Sequence, residues 1–462
     1  MTSAAPARRA AYAALRAVTS ERADLPDALA RARERLRDAR DQALAADIAT
    51  GTLRWMGSID AVIEAFGGRP AALFDPEILD VLRLSVYQLE HLDRVPARAV
   101  VDDAVELARE ARKTSASGLV NAILRRVSRE LDRLPRPPRP GPGDVGGALD
   151  YLSITLSHPR WLVARWLARV GLERAEAWAR FNNAAAPLTL RANTLVLSRD
   201  ELARRLAALG VTVGPTRFAP DGLVVIDGNP FGTPLDDEGA FVVQDEASQL
   251  VAAVADAGVD ERVLDACASP GGKTVAMAAG VGSNGLVVAG DVRRRRVDLL
   301  SRTTARSRAR SVRIVRLDAT ALPFGPVFDL VLLDAPCSGL GTIRRDPEIR
   351  WRRKESDLRV LAEAQRKMLE SSAGAVRPGG RLVYATCSSE PEEGEDLVAA
   401  FLGDHAEFGL EDPRDDRGRG ATFPALFTPE GFFRTWPHAH GLDSFFAAVL
   451  RRRRYLVNPK HL

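Results

Sequence analysis

Five short apolar runs, each carrying an acidic or thiol-bearing residue at or near its end, limit what the second half of this chain can fold into: "RVLDACA", "GLVVAGD", "VRIVRLD", "FDLVLLD" and "RLVYATC". They lack the strict apolar–polar alternation of a strand with one wet face, so they read as strands covered on both faces. Helical stretches follow them, among them "RRRRVDLLSRTTARSR" and "EGEDLVAAFL". Alternation of this kind makes an α/β domain with a doubly wound, mostly parallel sheet, expected over residues 238–456. Ligands of such sheets lie beyond the carboxyl ends of the strands. The residues at those ends are Asp265 to Lys273, Asp291, Asp318, Asp334 to Gly339, and Cys387.

The front of the chain follows another pattern. Residues 1–133 carry apolar side chains at three- and four-residue spacing, as in "QALAADIATGTLRW" and "DPEILDVLRLSVYQLEHL", and read as an all-α bundle. The stretch "LPRPPRPGPGDVGGALD", residues 134–150, interrupts regular structure and reads as a linker. Residues 151–237 then give a helix at "HPRWLVARWLARVG", a strand at "PLTLRANTL", a helix capped by Ser198 and a strand at "LVVIDG", a small α+β module.

Composition narrows the setting. With 462 residues, 46% of them hydrophobic, the chain can bury several cores without covalent staples. Its three cysteines show no zinc-site spacing, which points to a reducing compartment and no structural metal. No uncharged apolar run reaches the roughly 20 residues that a membrane span needs, and the Arg/Ala-rich N-terminus lacks the apolar core of a secretory signal. A soluble, cytoplasmic, monomeric protein is expected. The formal charge of +4 is mild, so distribution matters more. Arginines cluster at Asp291–Arg313 and at Ile343–Lys354. In the second cluster Arg344, Arg345, Arg350 and Arg352 are candidates to contact nucleic-acid phosphates.

The glycine turn "DACASPGGKT" invites a nucleotide-triphosphate reading because it ends Gly-Lys-Thr before a helix. The spacing fails, since the position five before Gly272 is Cys267, and Pro270 removes a backbone donor. A tight turn at the first strand's end suits a cofactor lying against the backbone instead. Asp291 ends the second strand, where an acid can hold a ribose diol, and Asp318 ends the third. Successive acids at strand ends favour a nucleoside-bearing cofactor. Cys337 and Cys387 follow two further strands, one after Asp-Ala-Pro and the other after Ala-Thr.

With these motifs in place the chain resembles the Sun-type (RsmB-like) RNA cytosine-5 methyltransferases. "DACASPGGKT", "DAPCSGLGTIRRDPEIRW" and "YATCS" match their cofactor turn and two cysteine motifs. The likeness extends through "VQDEASQLVA" and "LRANTL", and the helical front resembles the NusB-like RNA-binding domain of the bacterial ribosomal RNA members. The resemblance implies a Rossmann-like methyltransferase domain after the NusB-like bundle and an RNA-binding α+β module. S-adenosyl-L-methionine would be held by Cys267, Ala268, Ser269, Pro270, Gly271, Gly272, Lys273, Asp291, Asp318 and Asp334. Cys387 would attack the base, Cys337 would assist release, and Asp334 would hold base or cofactor; Lys273 is a candidate to activate Cys387. The implied product is 5-methylcytidine in small-subunit ribosomal RNA. A transfer-RNA methyltransferase of the same chemistry and a non-catalytic RNA-binding assembly factor remain open. The chain departs from the family pattern at Ser269, Gly394 and Ser444, none of which is a thiol or a strand-end acid.

Overall fold

A computed structural model describes residues 4–415 and 422–454. It divides into two compact units, one made of Met1–Ala185 with Ile343–Glu355, the other of Ala186–Thr342 with Ser356–Leu462.

The first unit is helical. Its helices include Pro6–Thr19, Leu25–Glu34, Ala39–Gly67, Pro76–His91, Ala97–Glu110 and Ser117–Arg129. Local chemistry sets several ends: Asp38 and Asp75 accept hydrogen bonds from Arg40 N and Glu77 N at two starts, and Gly68, at φ 66°, closes the 29-residue helix Ala39–Gly67. The apolar stripes meet around Leu15, Ile48, Leu53, Ile59 and Ile63, all buried.

The expected linker does not end this unit. Residues 134–150 contain a short helix, Val145–Asp150, started by a hydrogen bond from Gly147 N to Asp144. Chain packing continues through Arg160–Asn183, two helical stretches that meet at a kink at Gly171, where buried Trp166 and Trp178 from either side stack with centroids 4.5 Å apart. Proline and glycine interrupt regular backbone there without removing the apolar side chains on either side, so packing resumes within the same unit.

Residues Ile343–Glu355 also belong to this unit, and they correct the expectation for its arginines. Arg350 is fully buried. Its guanidinium donates to the carbonyls of Ser157 (2.9 Å), Asn182 (3.3 Å) and Arg54 (3.3 Å) and to Asn183 Oδ1 (2.9 Å). Arg352 donates to the carbonyls of Val18 and Ala23 and pairs with Asp24. Arg344 donates to the carbonyls of Ala184 and Ala185 and lies 4.3 Å from the Phe181 ring centroid. These guanidiniums donate to backbone carbonyls of the unit to which they belong, and Arg350 has no surface left for a phosphate. Trp351 adds an indole hydrogen bond to the carbonyl of Leu53.

The second unit holds two sheets. The smaller comprises β1 (Thr189–Ala192), β2 (Thr212–Pro215), β3 (Gly222–Asp227) and β4 (Phe241–Val243), in the order β2-β3-β1-β4 with antiparallel pairs throughout. The larger comprises β5 (Arg262–Asp265), β6 (Leu286–Asp291), β7 (Val312–Arg316), β8 (Phe328–Asp334), β9 (Val376–Thr386), β10 (Phe408–Glu411), β11 (Phe433–Arg434) and β12 (Phe446–Arg452). Its order is β10-β12-β9-β8-β5-β6-β7, with β11 beside β12. The run from β9 to β7 is parallel, and the chain leaves β5 to opposite sides, which puts a switch point between β5 and β8.

Consecutive residues of the central strands serve opposite cores. Val263 and Leu332 pack with the helices Glu246–Ala255 and Gly272–Val281, whereas Leu264, Val331 and Leu333 pack with Glu355–Ala375 and Glu395–Asp404. The expected mostly parallel, doubly covered sheet is therefore present. The antiparallel edge formed by β10, β11 and β12 is an addition to the sequence reading: a strand's residues set its burial, while its connections decide its direction.

The buried acceptors around Arg350 generate a first expectation. Arg350→Ala leaves several carbonyls unsatisfied and costs about 3 kcal/mol or more of stability, seen as an earlier thermal unfolding transition, whereas exposed Arg294→Ala shifts it by no more than about 0.5 kcal/mol.

Candidate active site

The carboxyl ends of β5 and β8 carry the site. Asp265, the last residue of β5, is buried and pairs across the sheet with Leu332 of β8. Beyond it the chain turns through Gly271, at φ 109°, into the helix Gly272–Val281. A Cβ at Gly271 would stand 3.0 Å from Leu300 and 3.3 Å from Thr303, so both conformation and space call for glycine. The turn borders a cleft of about 210 Å³ lined by Asp265, Cys267, Ala268, Ser269, Pro270, Gly272, Lys273 and Asp334 from the sequence-predicted set.

Val242, Val243, Gln244 and Ser248 also line it. Buried Arg191 on β1 donates to Gln244 Oε1 and to the carbonyl of Gly272 (2.6 Å), fixing the start of the helix from below. Gln244 and Arg191 fall within "VQDEASQLVA" and "LRANTL", two stretches that carry the family likeness, but nothing in the sequence assigns either one a role at the glycine turn. Asp291 and Asp318 stand at the next strand ends outside this lining. Asp291 is buried and accepts from Arg293 N, with Arg296 at 3.7 Å. The exposed carboxylate of Asp318 is held by Thr320, whose backbone N–H and hydroxyl keep its pKa down.

Electrostatics separate the groups. Burial pushes the Asp265 carboxyl up to about 7, against a 2.7 Å hydrogen bond from Thr274. Its other oxygen, Oδ1, is buried without a partner. An unsatisfied carboxylate oxygen on a cleft wall suits a ligand bearing an ammonium or hydroxyl donor, so the residues fit a nucleoside cofactor with an amino-acid end. Cys267 is inert: burial, then Asp265 and Asp334, push its thiol far up.

Lys273 Nζ lies 2.7 Å from Asp334 Oδ2 and 5.8 Å from the centroid of the Phe445 ring. Burial works against the ammonium, yet Asp334, Cys387 and Asp265 around it hold its pKa above the usual lysine range. Past Asp334, Ala335 N donates to the carbonyl of Ala385, which keeps the two cysteine loops at one sheet edge. The Cys337 and Cys387 Sγ atoms are 3.2 Å apart. The hydrogen bond with Cys387, then burial, push the Cys337 thiol well up.

A backbone bond from Gly341 N to the carbonyl of Cys387 joins the loops again. A Cβ on Gly341 would stand 1.9 Å from the carbonyl oxygen of Ser444, which explains this glycine. The Ser444 departure is accommodated: its hydroxyl donates to the carbonyl of Thr435. Among the sequence-predicted residues, the two thiols, Lys273, Asp334 and most of the cofactor turn come together, while Arg344, Arg350 and Arg352 are engaged within the first unit and Arg345 lies beside Asp346.

Comparison with known proteins completes this picture. A probable ribosomal RNA small subunit methyltransferase B of Bacillus subtilis is 33% identical over 89% of this chain and 91% of its own. The chain belongs to the RsmB family. Residues 252–451 match the family described as 16S rRNA methyltransferase RsmB/F, residues 5–129 the NusB family, and residues 158–231 the ferredoxin-like domain of RsmF/B-like methyltransferases. A putative methyltransferase of Mycobacterium tuberculosis is 38% identical over 97% of this chain and 96% of its own. Among solved structures, PH0851 covers 98% of this chain and 100% of that one at 28% identity with TM-score 0.79. RsmB-family membership thus spans both units.

The raised Asp265 pKa gives a signed expectation. The carboxyl is ionised above about pH 7 and protonated below it, so affinity for a cationic cofactor rises with pH through that value, by about tenfold per unit on the acid side. Calorimetric titration of S-adenosyl-L-methionine between pH 5.5 and 8.5 should show this slope, and Asp265→Asn should flatten it.

Proposed function

We propose that this protein methylates carbon 5 of a cytidine in small-subunit ribosomal RNA, using S-adenosyl-L-methionine and a transient bond between Cys387 and the base. The observation that carries the reading is the pair of thiols 3.2 Å apart, at the end of the sheet that also holds Lys273 and Asp334. Membership of the RsmB family and the names of the relatives support the substrate.

The chemistry asks for two thiols in different states. Carbon 5 of cytosine is a weak nucleophile, and a thiolate adding to carbon 6 pushes electron density onto it. Cys387 makes that sulfur–carbon bond. The cofactor, when bound, supplies a methyl group on a sulfonium to carbon 5. The carbon-5 proton must then leave and the bond from Cys387 to carbon 6 must break, which restores the ring and the thiolate. Cys337, whose Sγ lies 3.2 Å from that of Cys387, assists this release. Lys273 keeps positive charge beside the pair. Asp334, anchored by Lys273, accepts from the exocyclic amine that distinguishes cytosine.

On the cofactor side, Asp265 holds the amino-acid end, the ligand lies against the backbone of the Cys267 to Lys273 turn, and Asp291 takes the ribose. A target base in paired RNA has to be unstacked to reach this edge, at a few kcal/mol. With Arg344, Arg350 and Arg352 bonded within the first unit, RNA phosphates fall instead to Arg293, Arg294 and Arg295, exposed where the chain leaves β6 for the helix Arg294–Arg306.

Two variants test the reading. Cys337→Ala, mixed with small-subunit RNA and cofactor, should accumulate a denaturant-resistant protein–RNA adduct, while Cys387→Ala should form none and lose methyl transfer by at least about 10³-fold. An adduct that persists in the double variant would reverse the two assignments.

A further inference from the structure

Glu393 is fully buried near both cysteine loops, and the reaction above gives it no part. Three donors converge on its carboxyl group. Oε1 accepts from the backbone N–H of Ser338 (2.8 Å) and from Gln365 Nε2 (2.9 Å), and Oε2 accepts from Ser388 Oγ (2.5 Å). Ser338 follows Cys337 and Ser388 follows Cys387. The residue's own carbonyl accepts from Thr386 Oγ1 (3.2 Å), immediately before Cys387, and from the Tyr384 hydroxyl (2.9 Å). Gln365 carries the network to the other side of the first thiol by donating to the carbonyl of Pro336 (3.0 Å). The hydroxyls of Ser338 and Ser388 are themselves 3.2 Å apart.

Glu393 thus touches, directly or through one amide, the residues before and after each thiol. Its carboxyl partners are a backbone amide, a glutamine amide and a hydroxyl, with no lysine or arginine paired to it among the described residues. A buried carboxyl group without a cation is costly to retain for packing alone. A shared acceptor for two loops from different strands does what apolar packing cannot: it fixes their separation through directed bonds at both ends.

We propose that Glu393 is a positioning residue that sets the spacing of Cys337 and Cys387, so that one pyrimidine ring meets both sulfurs. It contacts neither base nor cofactor. The proposal rests on the two-thiol reading, but thiol spacing is readable without RNA. The Ser388 hydroxyl and the Ser338 amide are separate halves of the tie, so cutting one half loosens the loops less than removing the acceptor.

The experiment uses the full chain with Glu393→Ala, Glu393→Gln and Ser388→Ala. The free enzyme is treated with diamide, a diazene oxidant that takes two electrons and two protons from the thiol pair, becomes the hydrazine and leaves a disulfide. Peptide mass spectrometry follows the Cys337–Cys387 link. Glu393→Ala should slow this link at least tenfold and lower single-turnover methyl transfer by a similar factor, with cofactor affinity within twofold of wild type. Glu393→Gln should stay within about threefold on both, because its amide oxygen accepts from Ser338 and Gln365 while its nitrogen donates to the Ser388 hydroxyl. Ser388→Ala, which removes one small side chain, should fall between and stands in if Glu393→Ala does not fold. Linking at the wild-type rate in Glu393→Ala, or in Ser388→Ala where that stands in, overturns the proposal. So does equal loss of cofactor affinity, which marks a merely structural role. If wild-type enzyme links its thiols normally but transfers no methyl to cytidine, the reaction reading fails and the spacing role of Glu393 is judged on the linking rates alone.

Discussion

The parallel pairing of β8 with β9 is the constraint on which the site depends. Asp334 lies opposite Ala385 in that ladder, so the loop after one strand and the loop after the other leave the sheet together, each carrying a thiol. Side chains alternate across a strand, and a slip of one residue would exchange buried and exposed faces for the whole segment. Here both faces are buried: Leu332 and Val383 serve one core, Leu333 and Tyr384 the other. The two-sided apolar pattern therefore does more than exclude water. It locks the register that brings the sulfurs within 3.2 Å, and the hydrogen bonds between the loops refine a position the sheet has already set.

The cofactor side obeys a different balance. Apolar packing fixes β5, but the residue at its end is a buried carboxyl whose pKa is raised to about 7 by desolvation and which keeps one oxygen unpartnered. Left alone, such a group opposes folding. It is tolerated because the surroundings are held from several directions: Thr274 donates to the second oxygen, and Arg191 clamps the helix start through the carbonyl of Gly272. The binding surface is thus preorganised by the fold, and a ligand donor would complete hydrogen bonding that the protein leaves open.

Much of this was legible in the amino-acid sequence, for identifiable reasons. The five apolar runs announce doubly covered strands, and residues at their ends must lie on one edge because parallel strands share a direction. The thiols, Lys273, Asp334 and the glycine turn could be named from that logic together with family resemblance. The roles of Gln244, Arg191, Gln365 and Glu393 could not. Each acts through a partner distant in sequence, as when Gln365 reaches Pro336 and Glu393, and a lone buried glutamate in "PEEGED" looks like one of several surface acids. The antiparallel edge of β12 on β9 was equally hidden, since "FFAAVL" has the apolar character of any buried strand.

The arginines of Ile343–Glu355 show why charge alone misleads. A guanidinium offers five N–H donors in a rigid fork, and phosphate oxygens and backbone carbonyls are both acceptors, so composition cannot separate an RNA contact from a structural pin. Burial and acceptor geometry can. Arg350 is enclosed among carbonyls and one amide oxygen, and burial pushes its pKa well down. Arg293, Arg294 and Arg295, equally dense in sequence, stay in solvent. What distinguishes the clusters is the supply of acceptors nearby: turns at Ala23 and Ser157 present carbonyls that Arg352 and Arg350 meet, whereas the start of the helix Arg294–Arg306 presents N–H groups, which repel a cation rather than bind it. Of the arginines at that helix start, Arg296 stands 3.7 Å from Asp291, while Arg293, Arg294 and Arg295 remain exposed.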